Sequence, residues 1–272
     1  MATPTSPFTD RAIVRGQLYA TPDRLNDRTN ALRRAKISGP NAAVTLATLA
    51  AETLPTARRI IDIGCGQGTS TLHLARQYPA AAVCAVDLSP ALLGVVRQRV
   101  PECEQIAGDF HHLPIASASI DLAVAAFCLY HSPHPRRALA DIARCLHRDG
   151  RLIVATKSAD SYRTIDILMS RSGLDPEASR RASLYQTFHS ANAGVVAITA
   201  ALRVLRRVDE VHTFRFADLE HLAQYAATNP NYHLGPELTA DPARLAAALR
   251  ERLPDTTATT TSTVTYLVLE RP

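Results

Sequence analysis

Residues 59–69 read RIIDIGCGQGT, an apolar run that ends in three glycines at alternate positions. The run at residues 60–63 indicates a buried strand, and TSTLHLAR at residues 69–76 indicates a helix directly after the glycines. A strand, a glycine turn and a helix form the first unit of a nucleotide-binding α/β sheet. Glycine suits this turn because a ligand approaches the backbone where a side chain would collide with it. The stretch therefore predicts a nucleotide site at the start of the helix.

The spacing of the glycines separates two classes of ligand. A dinucleotide fingerprint has the order Gly-x-Gly-x-x-Gly, but Thr69 occupies the third glycine position here and Gly68 comes one residue early. Asp62 also precedes the turn, and a carboxylate suits a ligand with an ammonium group better than one with a pyrophosphate. The pattern Asp-x-Gly-x-Gly-x-Gly resembles motif I of the class I S-adenosylmethionine (SAM)-dependent methyltransferases, specifically the small-molecule, methyltransferase-11/25-like branch.

Two acidic strand ends follow the glycine turn in the order that this family shows. Residues 82–87, AVCAVD, predict a second strand ending in Asp87, where a carboxylate accepts hydrogen bonds from both hydroxyls of a ribose. Residues 105–110, QIAGDF, predict a short third strand ending in Asp109 and Phe110. In the family, an acid at this place meets the adenine amino group, and its neighbour walls the ring.

The passage from the fourth to the fifth strand resembles that of small-molecule methyltransferases. Residues 120–127 predict the fourth strand, residues 135–146 an amphipathic helix, and residues 151–156 the fifth strand. The resemblance implies one α/β domain over residues 1–272, with a Rossmann-like, doubly wound sheet of seven strands in the order 3-2-1-4-5-7-6. Residues 261–269, TSTVTYLVL, predict the last strand, which is antiparallel in the family.

Four parts of this domain are expected from the same resemblance. They are an N-terminal helical lid (1–55), a SAM-binding core (56–157), a helical insertion after the fifth strand that acts as a lid (158–203), and the C-terminal part of the sheet (204–272). Within the insertion, residues 161–169 and 175–182 predict two helices, the second started by Asp175 with proline at its first position.

The resemblance also assigns the cofactor residues. Asp62 orients the ammonium group, and Phe127 lines the methionine part of SAM. Tyr19 belongs to the N-terminal helices and is expected to face the sulfonium, although a packing aromatic on a helix is the alternative. The full set of expected cofactor-binding residues is Tyr19, Asp62, Gly64, Cys65, Gly66, Gly68, Asp87, Leu88, Asp109, Phe110 and Phe127.

Candidate catalytic residues follow the fourth strand, because ligands in open α/β sheets lie beyond the carboxyl ends of the strands. His131 is the first choice as a general base, and Tyr130 marks the boundary between cofactor and substrate. The substrate candidates are His134, Tyr185 and His189. The histidines have an alternative interpretation as loop residues that bond to the backbone.

Composition excludes several other classes. The 272 residues carry a net charge of +5, but the basic residues occur as scattered pairs, so nucleic acid is not an expected partner. The five cysteines form no C-x-x-C pair, which argues against zinc, and no metal is expected. Without an apolar run of roughly 20 residues or a secretory signal, the sequence predicts a cytoplasmic monomer or homodimer with no membrane partner.

These observations predict a SAM-dependent methyltransferase that transfers a methyl group to oxygen, nitrogen or carbon of a small molecule in biosynthesis, with a secondary metabolite favoured. The Asn/Asp-Pro-Pro-Tyr sequence of enzymes that methylate nucleobases is absent from the exit of the fourth strand. Two alternatives remain open. One is a SAM-binding cyclase or another SAM-binding protein that does not methylate, and the other is an NAD(P)-dependent oxidoreductase.

Overall fold

The computed structural model describes residues 6–272 and divides into two compact units. The first, called here the sheet unit, comprises Pro40–Ser158, Tyr185–Glu210 and Val264–Pro272. The second, called the helical unit, comprises Met1–Gly39, Ala159–Leu184 and Val211–Thr263. The first five residues of the predicted N-terminal lid lie outside the described residues.

The elements alternate between helices and strands along the chain. The first half contains α1 (Arg11–Ile13), a π-helical turn (Val14–Leu18), α2 (Asp23–Ala35), β1 (Lys36–Ser38), α3 (Ala42–Thr53), β2 (Arg59–Ile63), α4 (Thr69–Gln77), β3 (Ala82–Asp87), α5 (Pro90–Arg99), β4 (Glu104–Ala107) and β5 (Ile120–Ala126). The second half contains a 3₁₀ turn (Leu129–His131), α6 (Pro135–Cys145), β6 (Leu146–Lys157), α7 (Arg163–Arg171), α8 (Ala193–Thr199), β7 (Arg203–Phe216), α9 (Leu219–Ala226), α10 (Pro236–Ala240), α11 (Pro242–Arg250) and β8 (Ala258–Glu270).

The eight strands form one sheet in the order β1-β7-β8-β6-β5-β2-β3-β4. Strands β2, β3, β4, β5 and β6 pair in parallel, and β8 pairs antiparallel with β6. In β2 the residues from Ile60 to Ile63 are at most 1% exposed, as expected for a parallel strand that is covered on both faces. The centre of the sheet is therefore a run of apolar strands whose carboxyl ends meet at one edge.

The predicted topology is confirmed for the seven strands from β2 to β8. In the sequence-based numbering their order is 3-2-1-4-5-7-6, with the last strand antiparallel. The structure adds an eighth strand, β1, which pairs antiparallel with β7 through Lys36 and Phe214. This strand was missed because residues 36–38 continue a helical pattern. The α/β class of the fold is correct, and its strand count is one higher than predicted.

One predicted helix of the insertion is wrong. Residues 161–169 do contain a helix, α7, but residues 175–182 form only turns. The carboxylate of Asp175 accepts hydrogen bonds from the guanidinium of Arg181, at 2.8 and 2.9 Å, and from the backbone N–H of His233, at 2.9 Å. Because the Asp175 carboxylate bonds to these partners, it does not cap a helix, and the predicted N-cap residue makes a tertiary contact instead.

The boundaries of the predicted parts stay predictions. The assignment of residues 1–272 to one domain is a prediction, and so are the lid roles of residues 1–55 and 158–203.

Among residues 6–272, no helix combines the length and the apolar character that a membrane crossing requires.

Candidate functional site

The glycine turn between β2 and α4 is held in a backbone conformation that side chains disfavour. Gly64 has φ +62° and Gly68, at the N-terminus of α4, has φ +75°. A Cβ on Gly64 would lie 2.4 Å from the Cβ of Cys128 and 2.9 Å from its sulfur. The backbone N–H of Gly64 donates to the carbonyl of Val86 at 2.7 Å, which joins the turn to β3. The turn therefore packs closely against Cys128 at the carboxyl edge of the sheet and requires glycine at its first position.

Asp62 lies fully buried directly before this turn. Its Oδ2 accepts hydrogen bonds from the hydroxyls of Ser70 at 2.7 Å and Thr71 at 2.6 Å, both on the first turn of α4. Its Oδ1 has no hydrogen-bond partner among the described residues. Burial raises the pKa of Asp62 to about 6, against the opposing effect of the two hydroxyls. A buried carboxylate oxygen without a partner is costly, so it marks a place where a ligand or water with N–H or O–H groups would be favoured.

The raised pKa of Asp62 predicts a pH-dependent cost to stability. The folded-state pKa lies above the unfolded value, so the unfolded chain ionises first and stability falls as pH rises from about 4 to about 6. Asp62→Asn removes this titration and keeps an acceptor for the hydroxyls. We expect the free energy of unfolding of the variant, relative to wild type, to increase by on the order of 2 kcal/mol between pH 4.5 and 7.5. Urea unfolding at both pH values measures it, and a constant difference would contradict the burial effect.

Asp87 connects the end of β3 to the glycine turn. Its Oδ2 accepts the backbone N–H of Gly66 at 2.8 Å, and its Oδ1 accepts the N–H of Ser89 at 2.9 Å. Burial raises its pKa, and the backbone N–H groups oppose that shift. Each carboxylate oxygen accepts more than one hydrogen bond, so the side chain has capacity for a diol as well as for the turn. Leu88 follows it and is half-buried.

Asp109 and Phe110 were predicted to end the third strand, but they lie in the loop after β4, which ends at Ala107. The Oδ1 of Asp109 accepts the backbone N–H of His111 at 2.9 Å and lies 2.8 Å from its ring Nδ1. The other ring nitrogen of His111, Nε2, lies 2.7 Å from the hydroxyl of Ser132. The ring of Phe110 packs against that of His111, with centroids 4.7 Å apart.

An aromatic cluster lies at the exit of β5 and beside the end of β6. Phe127 has φ +55°, a left-handed conformation, and its N–H donates to the carbonyl of Ala155 at 2.8 Å. Tyr130 packs edge-on against Tyr185 with ring centroids 4.9 Å apart. The Nζ of Lys157 lies 5.6 Å from the ring centre of Phe127 and 5.7 Å from that of Tyr185. The cluster thus surrounds an ammonium group with the faces of two aromatic rings.

The three candidate histidines differ in their surroundings. The ring of His131 lies 4.8 Å from that of Tyr130, at the edge of the aromatic cluster. His134 is exposed and precedes α6, and its backbone N–H donates to the Ser132 hydroxyl at 2.9 Å. In His189 the ring Nδ1 accepts the N–H of Ala191 at 3.3 Å, as a loop histidine does, and burial lowers its pKa.

Most of the expected site residues belong to the sheet unit, and one does not. Tyr19 lies in the helical unit, where its hydroxyl accepts a hydrogen bond from Arg28 at 3.3 Å. The expected roles of all these side chains toward SAM and substrate stay predictions. What the structure brings together is the glycine turn, Asp62 and Asp87 on one side, and the hydrogen-bonded set of Asp109, His111 and Ser132.

Sequence reasoning missed three residues of this region: His111, Ser132 and Lys157. The first two lie in loops, and only the fold shows that their side chains meet. Lys157 could have been predicted, because it is the last residue of β6. Ligands in open α/β sheets lie beyond the carboxyl ends of the strands, which is the argument that selected Phe127. Within residues 6–272, no group of three or more His, Cys, Asp or Glu residues is arranged to hold a metal ion.

Part of the sheet unit is similar to a known protein family. Residues 61–154, which run from β2 into β6, match a family model described as a methyltransferase domain. Over this region the chain is similar to methyltransferases.

Curated relatives of this region match over part of their length. A malonyl-[acyl-carrier protein] O-methyltransferase from Hahella chejuensis is 36% identical over 115 residues, 41% of this chain and 40% of the relative. A demethylmenaquinone methyltransferase from Renibacterium salmoninarum is 31% identical over 135 residues, 44% of this chain and 55% of the relative. The chain therefore spans about half, or less, of the length of these curated relatives.

A solved structure shares the fold of the chain over a larger region. It is a crystal structure described as a putative methyltransferase from Bacillus halodurans, with a TM-score of 0.60 and 14% sequence identity. The match covers 85% of this chain and all of the other. At this identity the likeness concerns the fold alone.

Proposed function

We propose that this protein is a methyltransferase that uses SAM to methylate oxygen, nitrogen or carbon of a small molecule. Among small molecules, a secondary metabolite is the favoured class of acceptor. One observation carries the proposal: a glycine turn lies between the buried carboxylate of Asp62 and the half-buried carboxylate of Asp87, at the carboxyl edge of a parallel sheet. The family match over residues 61–154 covers the same elements and supports the same conclusion.

The residues of the turn fit SAM. The unpartnered Oδ1 of Asp62 supplies a buried acceptor for an ammonium group, directly or through a water molecule. The glycine at position 64 lets the turn pack directly against Cys128, and the methionine part of the cofactor would lie along the backbone of this turn. Asp87 would hold the ribose diol, and Asp109 with Phe110 would hold the adenine.

The chemistry requires alignment more than activation. SAM supplies a methyl group on a sulfonium, which is already a strong leaving group. The task of the protein is to place an acceptor atom in line with the methyl carbon and the sulfur. Tyr130 and Tyr185, each 8% exposed and packed edge to face, form a rigid wall for this purpose. Phe127 and Lys157 lie next to them and belong to the same proposed boundary between cofactor and acceptor.

We propose His131 as the base that takes a proton from the acceptor. His131→Ala is expected to lower turnover by about 10²–10³-fold and to leave the affinity for S-adenosylhomocysteine (SAH) nearly unchanged. The measurement is SAH release with an identified acceptor, beside calorimetric binding of SAH. His147→Ala is the control, because His147 is exposed on β6. Turnover of the His131 variant equal to wild type would remove His131 from this role.

Thermal melting of the purified protein tests the proposed cofactor without an acceptor. A ligand that binds the folded state raises the melting temperature by mass action. We expect SAM and SAH to raise it by several degrees at 100 times their dissociation constants, and NAD and NADP to leave it unchanged. A shift with a nicotinamide cofactor only would establish the oxidoreductase alternative instead. Binding of SAM, with no SAH released from any acceptor, would favour a cyclase or another non-methylating SAM protein.

The acceptor stays open within this proposal. The two curated relatives are named for different acceptors, a malonyl group on an acyl carrier protein and demethylmenaquinone. The domain type thus fits more than one acceptor, and fold similarity does not select among them. A small-molecule acceptor, a cytoplasmic location and a monomeric or homodimeric state stay predictions.

A further inference from the structure

A chain of hydrogen bonds links the loop after β4 to the loop after β5. The ring of His111 lies between them, with Nδ1 2.8 Å from Asp109 Oδ1 and Nε2 2.7 Å from the hydroxyl of Ser132. The same hydroxyl accepts the backbone N–H of His134 at 2.9 Å. The two loops on either side of β5 therefore meet through one imidazole ring, at residues 21 positions apart in sequence.

The chemistry of the groups fixes the direction of this chain. An ionised carboxylate only accepts hydrogen bonds, so Nδ1 of His111 carries a hydrogen and donates to Asp109. In the neutral ring, Nε2 is then an acceptor and takes the hydroxyl hydrogen of Ser132. Ser132 is fully buried, and a buried hydroxyl is costly unless it is hydrogen-bonded. Every bond from the His134 N–H onward thus points toward the carboxylate of Asp109.

The loop after β4 is also hydrogen-bonded to α6, through the backbone of Leu113. The backbone N–H of Leu113 donates to the carboxylate of Asp141 on α6 at 2.7 Å, and Arg144 donates to the carbonyl of Leu113 at 3.1 Å. These bonds fix the backbone of the loop, while the bonds of His111 fix the side chain of Asp109. The carboxylate of Asp109 is held by the ring of His111 together with the backbone N–H of the same residue at 2.9 Å, and the ring is held by Ser132.

We infer that His111 is a positioning residue which, held by Ser132, aims the Asp109 carboxylate at the 6-amino group of the adenine. The inference rests on the proposed function, which places the adenine of SAM at Asp109. His111 acts through Asp109 and touches neither the methyl group nor the acceptor. The hydrogen bond from a 6-amino group to a fixed carboxylate is charge-assisted and is worth more than a bond to a freely rotating one.

The experiment compares two ligands that differ at one group. SAH carries the 6-amino group, and S-inosylhomocysteine carries a 6-oxo group in its place, which accepts and does not donate. Wild type is expected to bind SAH at least about tenfold more tightly, because the oxo group faces the carboxylate. In His111→Ala and in Ser132→Ala the preference for SAH is expected to fall to about twofold or less, with affinity for S-inosylhomocysteine nearly unchanged. Calorimetry with both ligands measures the affinities of wild type and of each variant.

His112→Ala is the matched control, because His112 is the adjacent histidine and is exposed. Its ligand preference is expected to equal that of wild type. Equal losses for both ligands in the His111 and Ser132 variants would mean a general structural role and would overturn the inference. So would a preference for SAH that persists in both variants, or a wild type that binds the two ligands equally. If wild type binds neither ligand, the proposed function itself fails, and thermal melting with SAM shows this separately.

Discussion

Replacing Gly64 by alanine is expected to abolish measurable SAH binding and to destabilise the fold by roughly 2–5 kcal/mol. Two separate effects add. The backbone of Gly64 is left-handed, which costs a residue with a Cβ about 1–2 kcal/mol. The new methyl group would also lie 2.4 Å from the Cβ of Cys128, so that the turn or the loop after β5 must move. Either movement displaces the backbone that the cofactor approaches.

A second glycine provides the matched control for this variant. Gly94 lies within α5, and a Cβ added to it would have no neighbouring atom within 4 Å. Its backbone is also not left-handed. Gly94→Ala is expected to raise the free energy of unfolding by about 0.5–1 kcal/mol and to leave SAH binding intact. Urea unfolding and calorimetry measure both variants. Wild-type affinity for SAH in Gly64→Ala would show that the turn is not the cofactor cradle.

The second large effect is expected at Asp87. Asp87→Ala removes the proposed acceptor for two ribose hydroxyls and also the partner of the Gly66 and Ser89 N–H groups. We expect the affinity for SAH to fall by about 100-fold or more, since hydrogen bonds to a charged group contribute about 1.5–3 kcal/mol each. Isothermal titration calorimetry with SAH measures the change.

Asp121 separates the effect on the ligand from the effect on the backbone. Its Oδ2 accepts the N–H groups of Arg58 and Arg59, both at 2.9 Å, at the start of β2 and β5 and therefore away from the carboxyl edge. Asp121→Ala loses a comparable pair of backbone hydrogen bonds and should destabilise the protein in a similar way. Its affinity for SAH is expected to match wild type. Equal losses of affinity in both variants would contradict the ribose assignment of Asp87.

The sequence predicted the parallel part of the sheet because its signals are local. Strands β2, β3 and β5 are short, mainly apolar runs, and several helices elsewhere in the chain carry their own start signals. Asn41 caps α3, Asp218 caps α9 and Asp241 caps α11, each through a side-chain bond to a backbone N–H. These features need no knowledge of the rest of the chain, so the class of fold and the glycine turn were predictable.

Features that depend on partners distant in sequence were not predictable. The carboxylate of Asp175 looked like a helix cap, yet it pairs with Arg181 and with the backbone of His233, 58 residues away. His111 and Ser132 are 21 residues apart, and neither has a sequence motif that marks the contact. Strand β1 is three residues long and exists because Phe214 and Thr213 of β7 offer it an edge. Only the assembled fold supplies these contacts.

The position of β8 in the sheet has a consequence for biosynthesis. This strand lies between β6 and β7 in the sheet, and seven of its residues pair with β6, from Arg151 opposite Glu270 to Lys157 opposite Val264. It follows both neighbours in sequence, so β6 and β7 leave the ribosome before the strand that separates them has been made. Until then each has a row of unpaired backbone N–H and C=O groups along the edge that β8 later occupies, and an open edge of this kind can pair with other chains. The glycine turn and the parallel strands are therefore synthesised before the strand that completes their sheet.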